Sequence, residues 1–331
     1  MRAVISHEPG PPDVLVVEDV PEPEPGPRDV RISVAACAVN FPDLLIVQDQ
    51  YQIRPPRPFT PGAEVAGVVE RVGAEVSTVA PGDRVMAICS WGGMAEKLVV
   101  PAARCARLPE GFPLDEAAVL QITYGTAYYG LRTCGQLAAG ERLLVLGAAG
   151  GVGIAAVEIG KALGAHVIAA VSSEEKASVA RKAGADSVIV YPAGPFDSAG
   201  RAALAALFKA SPGGGVDVVL DPVGGDYSEA ALRSMAPGGR LVVVGFAAGI
   251  PSVRLNLVLL KSARIVAAPW GAVVEQDPAT WRQVIDALFD LHARRMIRPL
   301  VSRSFPLSQA PEALRLLQAR GAVGKMIVRP C

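Results

Sequence analysis

The sequence predicts an α/β protein, in which a six-stranded, doubly wound parallel sheet is joined to a β-rich, barrel-like domain. Three observations carry this. Six short apolar runs between Leu143 and Ala268 alternate with helical stretches. The first of them enters a glycine-dense turn, Gly147-Ala148-Ala149-Gly150-Gly151-Val152-Gly153. The first hundred residues instead carry short strands separated by Pro and Gly.

In that first stretch, strands are expected at Arg2–Ser6, Leu15–Asp19, Asp29–Ala36, Glu64–Val72, Arg84–Ile88 and Ala95–Val100. The acidic proline run Glu22–Pro25 reads as a stiff surface connection, and Pro81-Gly82-Asp83 as a turn. Near Pro113 the pattern changes, and Leu114–Leu120 and Thr123–Leu131 have helical spacing. The alternating region then offers strands at Leu143–Leu146, Val167–Val171, Ser187–Val190, Val216–Leu220, Arg240–Val244 and Arg264–Ala268. Helices between them include Glu174–Ala183 and Tyr227–Met235. The tail has two amphipathic helices, Thr280–Ala293 and Ser308–Arg320, and a last strand, Lys325–Val328. A finished six-stranded sheet has no place for this tail, which is expected to return to the first domain.

The glycine turn carries the chemistry. Leu143–Leu146 reads as a buried strand, and the helix after the turn has apolar residues at Ile154, Val157 and Ile159. Gly164 stands where a helix ends in positive φ, and Val167–Val171 completes a βαβ unit. Such a turn lets backbone N–H groups approach a pyrophosphate, toward which the helix directs its positive end. The motif is not a strict G-x-G-x-x-G, because Ala148 fills the first glycine slot. The strand before and the helix and strand after supply the context that a bare glycine cluster lacks.

Composition narrows the function. The chain has 331 residues, enough for two domains, with 51% hydrophobic and 19% charged residues and zero formal net charge. That balance argues against a nucleic-acid partner. No apolar run reaches 18 residues and the N-terminus is not a signal peptide, so a soluble, cytoplasmic protein without membrane contact is expected. Cys37, Cys89, Cys105, Cys134 and Cys331 are widely spaced, without a C-x-x-C pair, and read as buried apolar residues rather than disulfide or metal partners. Of His7, His166 and His292, none has a second ligand at metal spacing, and His166 reads as a packed strand residue.

The stretches MRAVISHEPGPPDVL, VNFPDLLIVQDQY, TPGAEVAGVVERVG, PGDRV, ITYGTAYYGL, AAGGVG, DVVLDPVGG, GGRLVVVGF and GKMIVRP, in this order, resemble the medium-chain dehydrogenase/reductase superfamily. The nearest branch is the zinc-free NADPH:quinone oxidoreductases of the zeta-crystallin type. The resemblance implies a GroES-like catalytic domain from residues 1–118 and 269–331, and a Rossmann dinucleotide-binding domain from residues 119–268. It also implies NADPH as cofactor and a homodimer, here through the sheet-edge strand Arg264–Ala268. In zinc-dependent relatives the first ligand is a cysteine after a Gly-Val pair, and that slot holds Asn40. The histidine of their Gly-His-Glu motif is Ala63, within Pro61-Gly62-Ala63-Glu64. Their four-cysteine lobe is missing between Met94 and Leu108, and Asp43 with Glu64 does not make a closed site, so no zinc is expected.

By the same resemblance, Ala149, Gly150, Gly151 and Val152 carry the pyrophosphate, while Asn40 and Thr126 approach the nicotinamide. Gly245, Phe246 and Ala247 flank the nicotinamide beyond the fifth strand, and Trp270 and Lys325 lie near the cleft. Each has a plainer reading. Thr126 can bond back to a helix carbonyl, Asn40 can serve a turn, Phe246 can simply pack, and Lys325 can be solvated.

The end of the second strand, Val171-Ser172-Ser173, has no acid to hold a ribose 2′-hydroxyl. Lys176, one turn into the next helix, can reach a 2′-phosphate, and Tyr191 matches a tyrosine beside that phosphate in resembling proteins. Alternatively, Ser172 with Glu175 is a capping box, Lys176 is solvated and Tyr191 packs. Tyr51 resembles a pocket residue of quinone reductases and a proton donor of enoyl thioester reductases. The expected activity is hydride transfer from NADPH to a quinone or related conjugated carbonyl. The alternatives are reduction of an enone or 2-enoyl thioester, or a non-catalytic cofactor-binding role.

Overall fold

The computed structural model describes residues 1–194, 196–210, 214–319 and 321–330. Cys331, and Arg320 at the expected end of the last helix, lie outside the described residues. The chain forms two compact units, Met1–Ile122 with Pro299–Cys331, and Thr123–Arg298.

In the first unit a seven-stranded sheet runs Val301–Pro306, Lys325–Arg329, Asp29–Ala38, Glu64–Val72, Arg84–Ile88, Cys105–Arg107, and Lys97–Pro101 also pairs with Asp29–Ala38. Arg2–Ser6 and Leu15–Asp19 form a separate antiparallel pair. The strand expected at Asp29–Ala36 extends to Ala38, and the one expected from Ala95 begins at Lys97. Val30, Ile32, Val34, Val65, Val69 and Val328 share one core with Leu44 and Val47 of a short helix, Phe41–Val47. Hydrophobic periodicity does not reveal this helix, which is under two turns long. The chain's tail returns antiparallel to the end of Asp29–Ala38, with Ile327 opposite Ala38 and Val328 opposite Cys37. That register carries Lys325 to the start of the short helix.

In the second unit six parallel strands follow in chain order: Arg142–Leu146, His166–Val171, Ser187–Val190, Val216–Asp221, Met235–Val243 and Arg264–Ala267. Their spatial order is third, second, first, fourth, fifth, sixth. This is the doubly wound Rossmann order, whose ligand site lies beyond the carboxyl ends where the winding reverses, between the first and fourth strands. Leu143–Leu146 is wholly buried, as a strand covered on both faces must be. One face packs Leu144, Leu146, Ile168, Val219 and Leu241 against Leu204, Phe208, Ala231 and Leu232. Each of these Leu, Ile, Val and Phe side chains contributes ~1.5–3 kcal/mol by leaving water.

Several expectations are corrected. Residues 114–134 are not two plain helices. Leu114–Ala118 is α-helical, and Gly125–Tyr128 is α-helical between two π-helical turns, Leu120–Tyr124 and Tyr129–Cys134. Arg240 anchors the end of this region by donating to the Gly135 and Gln136 carbonyls while pairing with Glu141. The stretch 269–298, expected with the first domain, lies in the second unit. Its helices Trp270–Gln276 and Pro278–Ala293 bury Trp270, Trp281 and Leu288 there. His166 is exposed, not packed, with Nδ1 3.8 Å from Asp186.

Candidate cofactor and substrate site

The glycine turn of the second unit is shaped by a close approach. Gly147 has φ 60°, and a Cβ on Gly153 would stand 2.2 Å from the Gly147 carbonyl oxygen and 2.7 Å from Ala148 Cα. Glycine at 153 is therefore required for the helix Gly151–Ala162 to begin against the turn. Ala148, in the first glycine slot, is buried, and its N–H donates to the Ala170 carbonyl at 3.0 Å. Ala149 is buried and Gly150, Gly151 and Val152 are half-buried at the helix start. The first N–H groups of a helix have no carbonyl one turn back, so this rim offers donors to an anion. The helix ends at Gly164 with φ 82° as expected, and Ile154, Val157 and Ile159 are buried.

Beyond the second strand the helix Glu174–Lys182 is capped by Ser173, whose Oγ accepts the Lys176 N–H at 3.3 Å. The cap therefore lies one residue later than the Ser172–Glu175 pattern suggests. Lys176 Nζ donates to Ser172 Oγ at 3.2 Å, which places an ammonium over the strand end. Tyr191, after the third strand, is buried, with its ring 4.9 Å from that of Tyr227 and edge-on to Phe208 at 6.0 Å.

After the fifth strand, Gly245 and Ala247 donate to the carbonyls of Asp221 and Pro222, and Phe246 is exposed. Asp221, at the carboxyl end of the fourth strand, is buried. Its Oδ1 accepts the N–H groups of Val223 and Gly224 at 2.9 and 2.8 Å, and its Oδ2 accepts the Ser228 hydroxyl. The turn after the fourth strand and the loop after the fifth are thus tied together. Sequence reasoning alone misses Asp221, although DPVGG directly after an apolar strand is a visible signal. Thr126 is buried between the π-helical turns, a geometry that often marks functional sites. Trp270 is also buried and stacks on this segment, since a Cβ on Gly125 would meet its indole at 2.6 Å.

The first unit holds a buried polar cluster at the start of the helix Phe41–Val47. Asn40 caps this helix in extended geometry (φ −120°), not a left-handed turn, and its N–H donates to Asp43 Oδ2 at 2.8 Å. The Asn40 carboxamide receives Lys325 Nζ on Oδ1 at 2.6 Å and donates from Nδ2 to Glu64 Oε1 at 3.2 Å. Glu64 Oε2 accepts the Ile122 N–H at 2.9 Å. Lys325, expected as a cleft or surface lysine, is 6% exposed, with Nζ also 2.9 Å from the Val39 carbonyl and 3.6 Å from Glu64 Oε1. Tyr51 is half-buried against the same core.

Burial sets the electrostatics of this cluster. It pushes the Asp43 carboxyl up to about 7, against the pull of the Asn40 N–H and Lys325. It raises Glu64, opposed by the Lys325 ammonium, and lowers Lys325, opposed by Glu64 and Asp43. The thiols of Cys37 and Cys89 are pushed up by burial and stay protonated. This donor set does not suit zinc. Asn40 is committed to Lys325 and Glu64, Ala63 offers no ligand, and an ammonium already stands among the carboxylates. Among the described residues no cluster of three His, Cys, Asp or Glu side chains could hold a metal. The nucleotide turn, by contrast, fits a dinucleotide.

Residues 26–110 match the alcohol dehydrogenase GroES-like domain, and residues 151–290 match the zinc-binding dehydrogenase family. Quinone oxidoreductase-like protein 2 of Bos taurus is 39% identical over 318 residues, which is 95% of this chain and 88% of its own. The quinone oxidoreductase of Pseudomonas aeruginosa is 36% identical over 323 residues, 97% of each chain. The structure of Escherichia coli quinone oxidoreductase complexed with NADPH superposes with a TM-score of 0.90 at 30% identity, over 100% of each chain. With a GroES-like domain, a Rossmann sheet in this strand order and relatives of this identity over nearly its whole length, the chain belongs to the quinone oxidoreductase family of the medium-chain dehydrogenase/reductase superfamily.

Proposed function

We propose that the chain reduces a quinone, or a related conjugated carbonyl compound, with NADPH and without zinc. The observation that carries this is the intact pyrophosphate turn beside a strand end that holds Lys176 over Ser172 and carries no carboxylate of its own. An NAD-specific site would place an acid there for the ribose 2′-hydroxyl. The NADPH complex of the related Escherichia coli enzyme supports the same cofactor. Ala149, Gly150, Gly151 and Val152 hold the pyrophosphate, and Ser172, Ser173 and Lys176 face the 2′-phosphate, with Tyr191 behind them. Thr126, Gly245, Phe246 and Ala247 flank the nicotinamide, Trp270 supports Thr126 by packing on Gly125, and Asn40 is the first unit's own candidate contact to the cofactor and acceptor. Bound NADPH supplies the hydride. The chain's part is to hold a planar acceptor in a dry site, with Tyr51 lining the pocket. A quinone takes up electrons without a strong protein acid, so no acid–base pair is demanded.

A homodimer fits the open edge of the parallel sheet. The edge strand Arg264–Ala267 directly follows the helix Leu255–Lys261 in the chain, and there Leu255, Leu259 and Leu260 are 75%, 80% and 75% exposed. A second copy burying the same strip about a two-fold axis removes both liabilities. No helix among the described residues is long and apolar enough to cross a membrane. Cys37, Cys89, Cys105 and Cys134 form no disulfide among the described residues, which suits a reducing compartment such as the cytoplasm.

The test is NADPH oxidation against quinones, enones and 2-enoyl thioesters. Turnover with quinones is expected. Turnover confined to enoyl thioesters would instead make Tyr51 a proton donor, and no turnover with any acceptor would favour a non-catalytic role.

A further inference from the structure

We infer that Lys325 is a positioning residue that locks the Asn40 carboxamide so that Asn40 presents an N–H donor to its ligand. The assignment follows from what each neighbour can do. An ammonium only donates, so the carboxamide atom 2.6 Å from Lys325 Nζ is the oxygen. An ionised carboxylate only accepts, so the atom 3.2 Å from Glu64 Oε1 is the nitrogen. Turning the amide over would set N–H against ammonium and oxygen against carboxylate at once. Glu64 cannot swing away, because its Oε2 holds the Ile122 N–H. Lys325 cannot swing away either, because its Nζ is bonded to the Val39 carbonyl and its side chain is 7% exposed.

The residual hydrogen-bonding capacity of Asn40 is therefore asymmetric. One Nδ2–H goes to Glu64, and the second is the donor left for a ligand. Asn40 then selects an acceptor oxygen, such as a quinone carbonyl or the carbonyl of a carboxamide, over a hydroxyl or N–H group. This rests on the proposal that Asn40 faces the nicotinamide and acceptor. The locking itself is a property of the first unit alone.

The chain has only two asparagines, Asn40 and the exposed Asn256, so protein labelled with 15N-asparagine gives two side-chain NH2 pairs. The buried pair is assigned by its loss in Asn40→Ala, and the Asn256 pair serves as reference. In Lys325→Met the Asn40 pair should shift and lose protection from hydrogen exchange. In Lys325→Gln, which keeps a donor without the charge, it should stay near its wild-type position. An Asn40 pair unmoved in Lys325→Met, or Lys325→Gln behaving as Lys325→Met does, overturns the inference.

Turnover gives the second readout. Lys325→Met should lower kcat/KM for a quinone about tenfold, the worth of one hydrogen bond, in the wild-type background, and under about twofold in an Asn40→Ala background. Equal losses in both backgrounds would show that Lys325 does not act through Asn40. Should wild-type protein oxidise NADPH with no acceptor, the functional proposal fails, while the NH2 spectra still decide the role of Lys325. Should Lys325→Met not fold, Lys325→Gln carries both measurements, and a displaced Asn40 pair together with a tenfold loss in that variant refutes the locking.

Discussion

Replacing Asp43 by asparagine tests the charge balance of the buried cluster. Asp43 Oδ2 accepts the Asn40 N–H, and Oδ1 is buried. Burial holds the carboxyl at about 7 against 3.8 for an unburied aspartate, so the native state binds this proton more tightly than the unfolded chain does. The sign follows: the contribution to stability is fully present below pH ~4 and is lost as pH rises through about 7. At ~1.4 kcal/mol per pKa unit, the loss has a ceiling of ~4 kcal/mol. Half of that corresponds to ~4–8 °C in melting temperature for a unit of this size. An asparagine has no charge to desolvate, and its amide nitrogen takes the place of one carboxylate oxygen. Glu229, held down at about 2 chiefly by its hydrogen bond from Arg254, titrates below this window and is common to both proteins. Thermal unfolding followed by circular dichroism at pH 5 to 8 and fixed ionic strength should show the wild-type melting temperature falling ~4–8 °C further than that of Asp43→Asn. Parallel curves would show that the Asp43 carboxyl is not held protonated, and the reasoning about the cluster's charge would fail.

Lys176→Ala should raise the Michaelis constant for NADPH about tenfold and leave that for NADH nearly unchanged, because an exposed ammonium–phosphate pair retains ~1–2 kcal/mol after screening. Equal losses with both cofactors would remove Lys176 from the phosphate site. Gly153→Ala should destabilise the second unit by at least ~2 kcal/mol and abolish NADPH binding, since the new methyl meets the Gly147 carbonyl oxygen at 2.2 Å. A wild-type melting curve for that variant would contradict it. Leu259→Glu should convert a dimer to monomers in light scattering at micromolar concentration, and a wild type that is already monomeric would sink the edge-to-edge pairing. Elemental analysis of purified protein should find no stoichiometric zinc, with activity unchanged by chelators, and one bound zinc per chain would refute the reading of Asn40 and Lys325.

Much of the fold is legible in the sequence because it rests on local patterning. Apolar runs of four to six residues, each followed by a helix-period segment, specify a parallel sheet. The crowded glycines at Gly150, Gly151 and Gly153 mark the turn that the structure builds. Expected strands fall within one or two residues of their observed ends at most positions, and their largest boundary error, the start of the fifth strand at Met235 rather than Arg240, follows from Pro237-Gly238-Gly239, which reads as a turn. The strands Cys105–Arg107 and Val301–Pro306 are not expected from the sequence. The helix Phe41–Val47 and the π-helical turns around Thr126 were not legible, because both are too short or too irregular for periodicity to register.

What only the tertiary structure decided is where charged and aromatic side chains turn. By sequence Lys325 is one polar residue opening an apolar strand, and nothing local separates a solvated lysine from a buried one. The pairing of Ile327 with Ala38 closes a loop of nearly three hundred residues and delivers the ammonium to Asn40 and Glu64. The same holds for Trp270, which the sequence assigns to the tail and the structure buries against Gly125. Local pattern determines which elements form, because helix and strand periods are written in neighbouring residues. Which buried charge meets which partner depends on contacts distant in sequence, and there the sheet register decides.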